Sequence, residues 1–315
     1  MLFYLLFFCL INVGQSFDVV GWFVGNDLKE FNNMDWDNYT IMRLGSLNLL
    51  PNGTQIVNND SLFINALMVA RGNKITINIA GSTPVNKCII GPIDMDYCNQ
   101  YIKSLPIALE PYGKLISGVE FDFEWSNLIS KLGHIKQEYV DNFSILMDRM
   151  QKAVGGNFTV SCDVSVYFLP YTRWVNGTVF HNNPNLFVNT MSYHWPKDCS
   201  IFPWKLDVSA INNEWGVPRG QINIGIGYFS MNITVQGKLV GELSWKTLEK
   251  ICPDNTYNDC KCDDIYYTSP NMNYEIGRFV RDEGYRGLFP WAANYDSQNM
   301  SLVSYAVKGL YENTI

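Results

Sequence analysis

The chain has 315 residues, of which 47% are hydrophobic and 17% are charged, and its net charge at pH 7 is −7. This composition is typical of a folded globular protein and leaves room for one large α/β barrel or two small domains. The negative net charge argues against a polyanionic partner, so no nucleic acid is expected to bind.

The first 16 residues form a mostly apolar run without a charged side chain, and they end in small residues at Gly14 and Ser16. This pattern predicts a signal peptide that is cut near Ser16, and a retained anchor is the alternative. We expect residues 17–315 to form a single domain that is not bound to a membrane after signal cleavage. The protein is expected to be secreted or to reach a lysosomal or vacuolar lumen. Eight N-x-S/T sequons fit such a glycosylated product: Asn38, Asn52, Asn59, Asn142, Asn157, Asn176, Asn232 and Asn299.

Seven of the eight cysteines lie beyond the predicted signal peptide. Cys88 and Cys98 flank a short loop that a disulfide could close, and Cys162 lies in an apolar strand pattern that predicts a buried free thiol. Three cysteines crowd a second loop and have one distant candidate partner: Cys252, Cys260 and Cys262, with Cys199. A zinc site is the alternative for this loop, but the spacing matches no common ligand pattern, so disulfides are expected.

Eight strand-like runs alternate with helical or loop segments. They cover residues 18–24, 39–47, 74–80, 115–123, 158–166, 186–193, 221–228 and 287–291. Apolar residues at helical spacing predict a helix over 136–154, which Gly155 and Gly156 end, and a closing helix is predicted over 297–311. Eight β-then-α units predict a parallel (β/α)8 barrel. A doubly wound open sheet is the alternative, but no Gly-rich phosphate turn follows the first strand.

Two connections are long. Residues 195–218 look irregular, and residues 229–286 hold the second cysteine loop and a short helix near 242–251. Both follow strands, so in a barrel they are expected to rise over the C-terminal mouth, where active sites of such barrels lie.

The most informative strand is residues 117–125, in which acidic and apolar residues alternate. In a barrel the apolar face meets the helices, and Glu120, Asp122 and Glu124 point inward with Glu124 nearest the mouth. Carboxylates about 7 Å apart in a poorly solvated interior repel one another, so at least one pKa must rise. A carboxylic acid that keeps its proton can protonate a glycosidic leaving oxygen.

Two other interpretations of this strand exist. A solvated acidic face would need an antiparallel surface strand, against the alternating βα pattern. A divalent-metal site would need a complement of Asp, Asn or His on another strand, and none is obvious. We therefore expect neither a metal nor a cofactor.

Residues 117–124 resemble the D-G-x-D-x-D-x-E signature that ends the fourth barrel strand of glycoside hydrolase family 18, the chitinase family. Gly118, Asp122 and Glu124 match the signature, whereas Ser117 and Glu120 depart from it. Further segments resemble the family's first, third, sixth, seventh and eighth strands in order: 19–23, 74–82, Met191-Ser192-Tyr193, 222–228, and 287–291 followed by Asp296. Such ordered matches over nearly the whole of residues 17–315 are far more specific than one motif.

The resemblance implies substrate-assisted retaining hydrolysis, in which the substrate's acetamido oxygen attacks the anomeric carbon. It implies that Glu124 donates the proton and later activates water. Asp122, with Glu120 beneath it, would hold the acetamido N–H, and Tyr193 would orient the acetamido oxygen. Trp291 would form the floor under the reacting sugar. Candidate stacking surfaces for neighbouring sugars are Trp22, Trp125, Trp195 and Tyr228.

These expectations describe a chitinase-like glycosidase that hydrolyses β-1,4-linked N-acetylglucosamine in a chitooligosaccharide or an N-glycan. One alternative is an endo-β-N-acetylglucosaminidase or chitobiase that acts on N-glycan cores, and another is a non-catalytic chitinase-like lectin. The presence of Glu124 favours an enzyme. His194 stands where the family usually has Asp next to the sugar, and it could be a second acid or only a loop residue. No large α+β insertion is visible, which predicts a shallow cleft.

Overall fold

The computed structural model describes residues 16–25, 27–73, 75–81, 85–122, 135–166, 173–230, 234–235, 238–239, 242–252 and 257–312. Within these residues, eight parallel strands form a closed barrel, because β1 pairs with both β2 and β8. The strands are β1 (Asp18–Trp22), β2 (Ile41–Leu49), β3 (Thr76–Gly81), β4 (Ile116–Phe121), β5 (Thr159–Val164), β6 (Leu186–Thr190), β7 (Ile222–Gly227) and β8 (Gly287–Trp291). The predicted (β/α)8 barrel and its eight strands are confirmed.

Helices cover the outside of the barrel. They are α1 (Leu28–Asn32), α2 (Ser61–Asn73), α3 (Asp96–Leu109), α4 (Gln137–Val154), α5 (Thr178–His181), α6 (Phe202–Ser209), α7 (Trp245–Ile251), α8 (Pro270–Glu283) and α9 (Leu302–Tyr311). The helix predicted over 136–154 is α4, and it ends at Gly155 with a φ of 74°. The closing helix begins later than predicted, because the side chains of Asp296 and Ser301 accept the first backbone N–H groups of α9.

The two long connections are more regular than the sequence predicted. The first contains α6 and the second contains α8. The buried face of α8 includes Asn273 and Gly277 beside Met272, Ile276 and Val280. A Cβ on Gly277 would lie 2.0 Å from the carbonyl oxygen of Ala306 in α9. The position therefore requires glycine for close helix packing, although glycine inside a helix lowers its helix propensity.

Shorter elements complete the described chain. Gln55–Val57 adds an antiparallel strand to β2, and three two-residue hairpin pairs lie after β7: Phe229–Ser230 with Leu243–Ser244, Thr234–Val235 with Lys238–Leu239, and Lys261–Cys262 with Ile265–Tyr266. Helical turns cover Trp36–Asn38, Val85–Ile89, Glu110–Leu115, Ala210–Glu214, Arg219–Gln221 and Ala293–Tyr295. None of the helices described is both long and apolar enough to cross a bilayer.

The barrel has an apolar layer near its N-terminal end. Val20 from β1, Ile41 from β2 and Phe289 from β8 are buried together, and Trp22 packs against them from above. The larger hydrophobic core lies outside the barrel, between the strands and the helices. Polar side chains occupy the barrel interior above the apolar layer, towards the mouth.

Three disulfides close loops of the chain. Cys88 pairs with Cys98, Cys199 with Cys260, and Cys252 with Cys262. Cys162 is free and buried, as its apolar surroundings predicted. The zinc alternative for the second cysteine loop is wrong, since all three of its cysteines are paired.

We expect the Cys199–Cys260 bond to contribute more stability than the Cys88–Cys98 bond. The first spans 61 residues and the second spans 10, so the first restricts the unfolded chain more strongly. Loop entropy gives a difference of roughly 1.5 kcal/mol. Urea unfolding of the two double Cys→Ala variants measures this difference, and an equal or reversed order would contradict the entropic explanation.

Candidate active site

Three charged side chains from neighbouring parts of the barrel meet in its interior. Arg43 reaches in from β2, Glu120 from β4 and Asp163 from β5, and each is at most 1% exposed. Nη1 of Arg43 lies 2.8 Å from Oδ2 of Asp163 and also contacts Oε1 of Glu120. Two buried carboxyl groups therefore share one guanidinium.

Hydrogen bonds extend this cluster across β6 and β7. The amide of Asn189 donates to Oδ1 of Asp163 at 3.2 Å, and the amide of Asn223 donates to Oδ1 of Asn189 at 3.0 Å. The buried polar groups are thus linked from strand to strand, which stabilises their orientation.

A second contact lies between β3 and β4. The pairing of these strands shifts in register next to Asn78, so that Ser117 is an extra residue on β4. Its hydroxyl group donates to Oδ1 of Asn78 at 2.6 Å. Ser117 therefore has a structural partner at the position where the family signature has an acid.

The charges in the cluster change one another's protonation. Burial lowers the pKa of Arg43, but Asp163, Glu120 and Asp122 together outweigh this effect and raise its pKa above the usual value. Burial raises the pKa of Asp163 well above its usual range, Arg43 opposes the rise, and the charge of Glu120 adds to it. Burial and the neighbouring acid thus favour the protonated form of Asp163.

Asp122 follows the last residue of β4 and has an exposed side chain. Its charge acts on both Arg43 and Tyr193. The alternation along β4 thus places Glu120 inside the barrel, as the sequence predicted. Asp122 was also expected to point inward, but its side chain is exposed at the mouth. Glu124 and Trp125, which come next on the predicted strand, lie outside the described residues.

Tyr193 and His194 follow β6 and have different surroundings. Burial raises the pKa of Tyr193 well above its usual value, and the nearby charges of Asp163 and Asp122 raise it further. Nε2 of His194 lies 2.8 Å from Oδ2 of Asp207 on α6, and the His194 ring packs edge-on against Trp204 of the same helix. The structure therefore brings Tyr193 to the acidic cluster and packs His194 against α6.

Two tryptophans lie at the ends of β1 and β8. The rings of Trp22 and Trp291 are 4.0 Å apart and nearly perpendicular, and both are partly exposed. The guanidinium of Arg43 lies 3.2 Å from the centre of the Trp22 ring. This stacking joins the aromatic pair at the mouth to the buried charges below it.

The other two aromatic candidates differ from each other. Trp195 is partly exposed, and its indole N–H donates to the carbonyl oxygen of Phe229 at 2.7 Å. Tyr228 is fully buried, and the charges that act on its hydroxyl group come from Tyr39 and Asp296. A buried ring cannot stack on a sugar, so the prediction that Tyr228 is a stacking surface is wrong.

Sequence reasoning missed Arg43 and Asp163. Arg43 lies between the buried residues Met42 and Leu44 of a strand. Alternation along that strand could have placed Arg43 inside the barrel, because its two neighbours face the helices. The identity of its acidic partners could not be predicted, since they come from strands far apart in the sequence.

Comparisons with known proteins give the fold. No family model and no curated protein matches this chain. Among solved structures, a chitinase from Bacteroides thetaiotaomicron is 15% identical with a TM-score of 0.71, over 94% of this chain and 97% of that one. A GH18 chitinase from Cycas revoluta in complex with (GlcNAc)3 is 16% identical with a TM-score of 0.72, over 93% and 99%. The GH18 chitinase ChiB of Flavobacterium johnsoniae is 14% identical with a TM-score of 0.70, over 95% of each. At such low identity, these matches show that the chain has the barrel fold of GH18 chitinases.

Replacement of Arg43 by Met is expected to destabilise the fold at pH 7 by roughly 3–5 kcal/mol, because two buried carboxyl groups lose their only ion-pair partner among the described residues. Without the cation, an ionised carboxyl group in the barrel interior has no opposite charge beside it. The loss should therefore be small below the unfolded pKa of about 4 and grow as the pH rises. Urea unfolding at pH 4 and pH 7 measures it, with Arg43→Lys as the charge-conserving control. An equal loss at both pH values would contradict this electrostatic explanation.

Proposed function

We propose that this chain is a member of glycoside hydrolase family 18 and a chitinase-like glycosidase that cleaves β-1,4-linked N-acetylglucosamine. One observation carries the proposal. Asp122 is exposed at the mouth of a closed barrel, and its charge acts on both the buried Arg43 and the hydroxyl group of Tyr193. Trp22 and Trp291 border the same cluster. Glu124 follows Asp122 by two residues, the spacing that the family signature has between its last two acids.

The proposed reaction uses the substrate's acetamido group as the nucleophile. Its carbonyl oxygen attacks the anomeric carbon while the bond to the leaving oxygen breaks, and Glu124 gives that oxygen its proton. Asp122 accepts the acetamido N–H and balances the positive charge of the oxazolinium ion. Water then attacks the anomeric carbon, and the bond between that carbon and the acetamido oxygen breaks, which restores the acetamido group. The attacking water gives one proton to Glu124, so the enzyme regains its starting state.

The remaining roles follow from the surroundings of each residue. Tyr193 orients the acetamido oxygen, because burial and the charges of Asp163 and Asp122 keep its hydroxyl group protonated, so it can donate a hydrogen bond. Trp291 forms the floor under the reacting sugar, with Trp22 beside it. Trp195 offers a partly exposed ring for a neighbouring sugar, and its hydrogen bond to Phe229 fixes the position of that ring. Glu120 acts from below, through Arg43.

The proposed substrate is a chitooligosaccharide. The Cycas revoluta chitinase was solved in complex with (GlcNAc)3, and a class V chitinase mutant from Nicotiana tobaccum, 15% identical to this chain, in complex with NAG4. We assign the same ligand class to this chain because its barrel mouth offers aromatic rings beside a carboxylate. Hydrolysis of N-glycan cores and non-catalytic binding are then outcomes that an assay separates.

We further propose that the protein works in the secretory pathway or in a lumen that it reaches. Three disulfides need an oxidising compartment, which fits the predicted signal peptide. Burial raises the pKa of Asp296 to about 7, against four hydrogen bonds that lower it. A folded-state pKa above the unfolded value adds stability at low pH, and this stability is lost between about pH 4 and pH 7. This pH dependence of stability favours an acidic lumen as the place where the protein works.

Replacement of Glu124 by Gln is expected to abolish turnover and leave the fold intact, since Gln has nearly the same shape but its amide cannot act as an acid. Hydrolysis of fluorogenic chitobiose and chitotriose glycosides measures turnover, and release of glycans from a high-mannose glycoprotein tests the alternative substrate. Glu138→Gln, on the exposed surface of α4, makes the same chemical change away from the mouth and should leave turnover unchanged. Unchanged turnover in Glu124→Gln would remove Glu124 from the mechanism. Binding without turnover, equal in wild type and Glu124→Gln, would identify a lectin.

Replacement of Tyr193 by Phe is expected to lower kcat by roughly 100-fold, because the reacting acetamido oxygen loses a hydrogen-bond donor. Tyr228→Phe is the matched control. Tyr228 is fully buried, and its hydroxyl group has no hydrogen-bond partner among the described residues. Steady-state kinetics on chitotriose glycosides compare the two variants, and equal losses in both would argue against a catalytic role for Tyr193.

A further inference from the structure

We propose that Arg43 is a positioning residue of the proposed active site, which keeps Asp122 negatively charged towards the substrate and holds Trp22 in place against Trp291. The inference rests on the proposed function and deepens it. Neither the signature nor the aligned segments described above include Arg43. Its assignment comes from its burial and its contacts in this structure.

The first step is the charge balance of the barrel interior. Arg43 contacts both Glu120 and Asp163, and no other Lys or Arg among the described residues forms an ion pair with either acid. If both acids were ionised, the buried cluster would have an uncompensated negative charge, which is costly away from water. One proton is therefore retained on one of the two acids, which both contact Nη1 of Arg43.

The second step is the place of that proton. Burial and the neighbouring Glu120 raise the pKa of Asp163 well above its usual range. With the proton on Asp163, Glu120 and Arg43 form a neutral pair. Asp122 at the mouth can then stay ionised, because no uncompensated negative charge lies beneath it.

Several charged or titratable groups face this space. Those described are Arg43 from β2, Glu120 and Asp122 from β4 and its end, Asp163 from β5, and Tyr193 after β6. The side chains at the ends of β1 and β8, Trp22 and Trp291, carry no charge. Arg43 is thus the one cation in this described set, and its field acts directly on Asp122. A positive charge near a carboxylate favours the ionised form.

Arg43 also contacts the aromatic pair of Trp22 and Trp291 through the Trp22 ring. The guanidinium lies 3.2 Å from the centre of the Trp22 ring while its Nη1 atom binds the acids. A planar guanidinium can stack and form hydrogen bonds at once, whereas the ammonium group of lysine cannot stack as a plane. Arg43 therefore connects the position of Trp22, and through it of Trp291, to the buried charges.

The experiment is the pH dependence of kcat/KM on a chitotriose glycoside for wild type and the variants Arg43→Gln, Arg43→Lys and Asp163→Asn. Arg43→Gln removes the cation, so the pKa of Asp122 rises and the acid limb of the profile should move up by about one pH unit. Arg43→Lys keeps the charge, so its acid limb should stay in place while kcat/KM falls because Trp22 loses its stacking partner. An acid limb of Arg43→Gln that coincides with wild type would overturn the proposal.

Asp163→Asn keeps the inference falsifiable if Arg43→Gln does not fold. Asn is isosteric with a protonated Asp and can still accept from Arg43, so this variant is expected to fold. If Asp163 is neutral in wild type, its acid limb should not move. A shift of that limb to lower pH by about one unit would show that Asp163 carries a negative charge, and it would overturn the proposal.

A second readout separates this inference from the proposed function. A wild-type protein without turnover on chitooligosaccharides and N-glycans would remove the hydrolase proposal. The carboxyl carbon of Asp122, labelled with 13C and assigned with Asp122→Asn, can be titrated by NMR without any turnover. The titration midpoint of Asp122 should rise in Arg43→Gln and stay in place in Asp163→Asn. Any other result would overturn the role of Arg43 and leave the hydrolase proposal untouched.

Discussion

The closure of eight strands into a barrel is the constraint on which the site depends. In a closed barrel, alternate residues of every strand point into an interior with little room for water. An acid that points there needs a partner from another strand. Glu120 on β4 finds that partner in Arg43 on β2, and Asp163 on β5 shares it. The same alternation that buries Glu120 brings Asp122 to the mouth two residues later. A buried ion pair and an exposed carboxylate are thus two consequences of one strand geometry.

The contact between Arg43 and Trp22 extends this constraint to the aromatic part of the mouth. Val20, Ile41 and Phe289 fill the barrel below Trp22, while the guanidinium lies against its ring. Trp22 therefore has an apolar layer on one side and a cation on another. Since these groups lie on β1, β2 and β8, the neighbouring strand ends are held in a fixed relation. Rigid strand ends are the places from which a barrel can hold catalytic groups to within the small tolerances that catalysis needs.

The sequence predicted the parts of the molecule that depend on short-range periodicity. Alternation of period two predicted the strands and the inward face of β4, and helical spacing predicted α4. Periodicity says which face a residue occupies, but not which residue of another strand it meets. Arg43 was missed for that reason. Tyr228 was misplaced because the alternation of β7 was not extended to it: Tyr228 continues the face of Ile224 and Ile226, which pack in the core outside the barrel.

The departures from the family signature have a common physical feature. Ser117 donates to Asn78, the longer Glu120 contacts Arg43, and His194 pairs with Asp207. Each altered residue therefore has a polar partner from another element, and Glu120 is fully buried. Loss of function by itself would not supply such partners, and an unpaired buried charge would destabilise the fold. The departures are thus accommodated as a set, and the electrostatics of the mouth are organised around a buried arginine as well as around stacked acids.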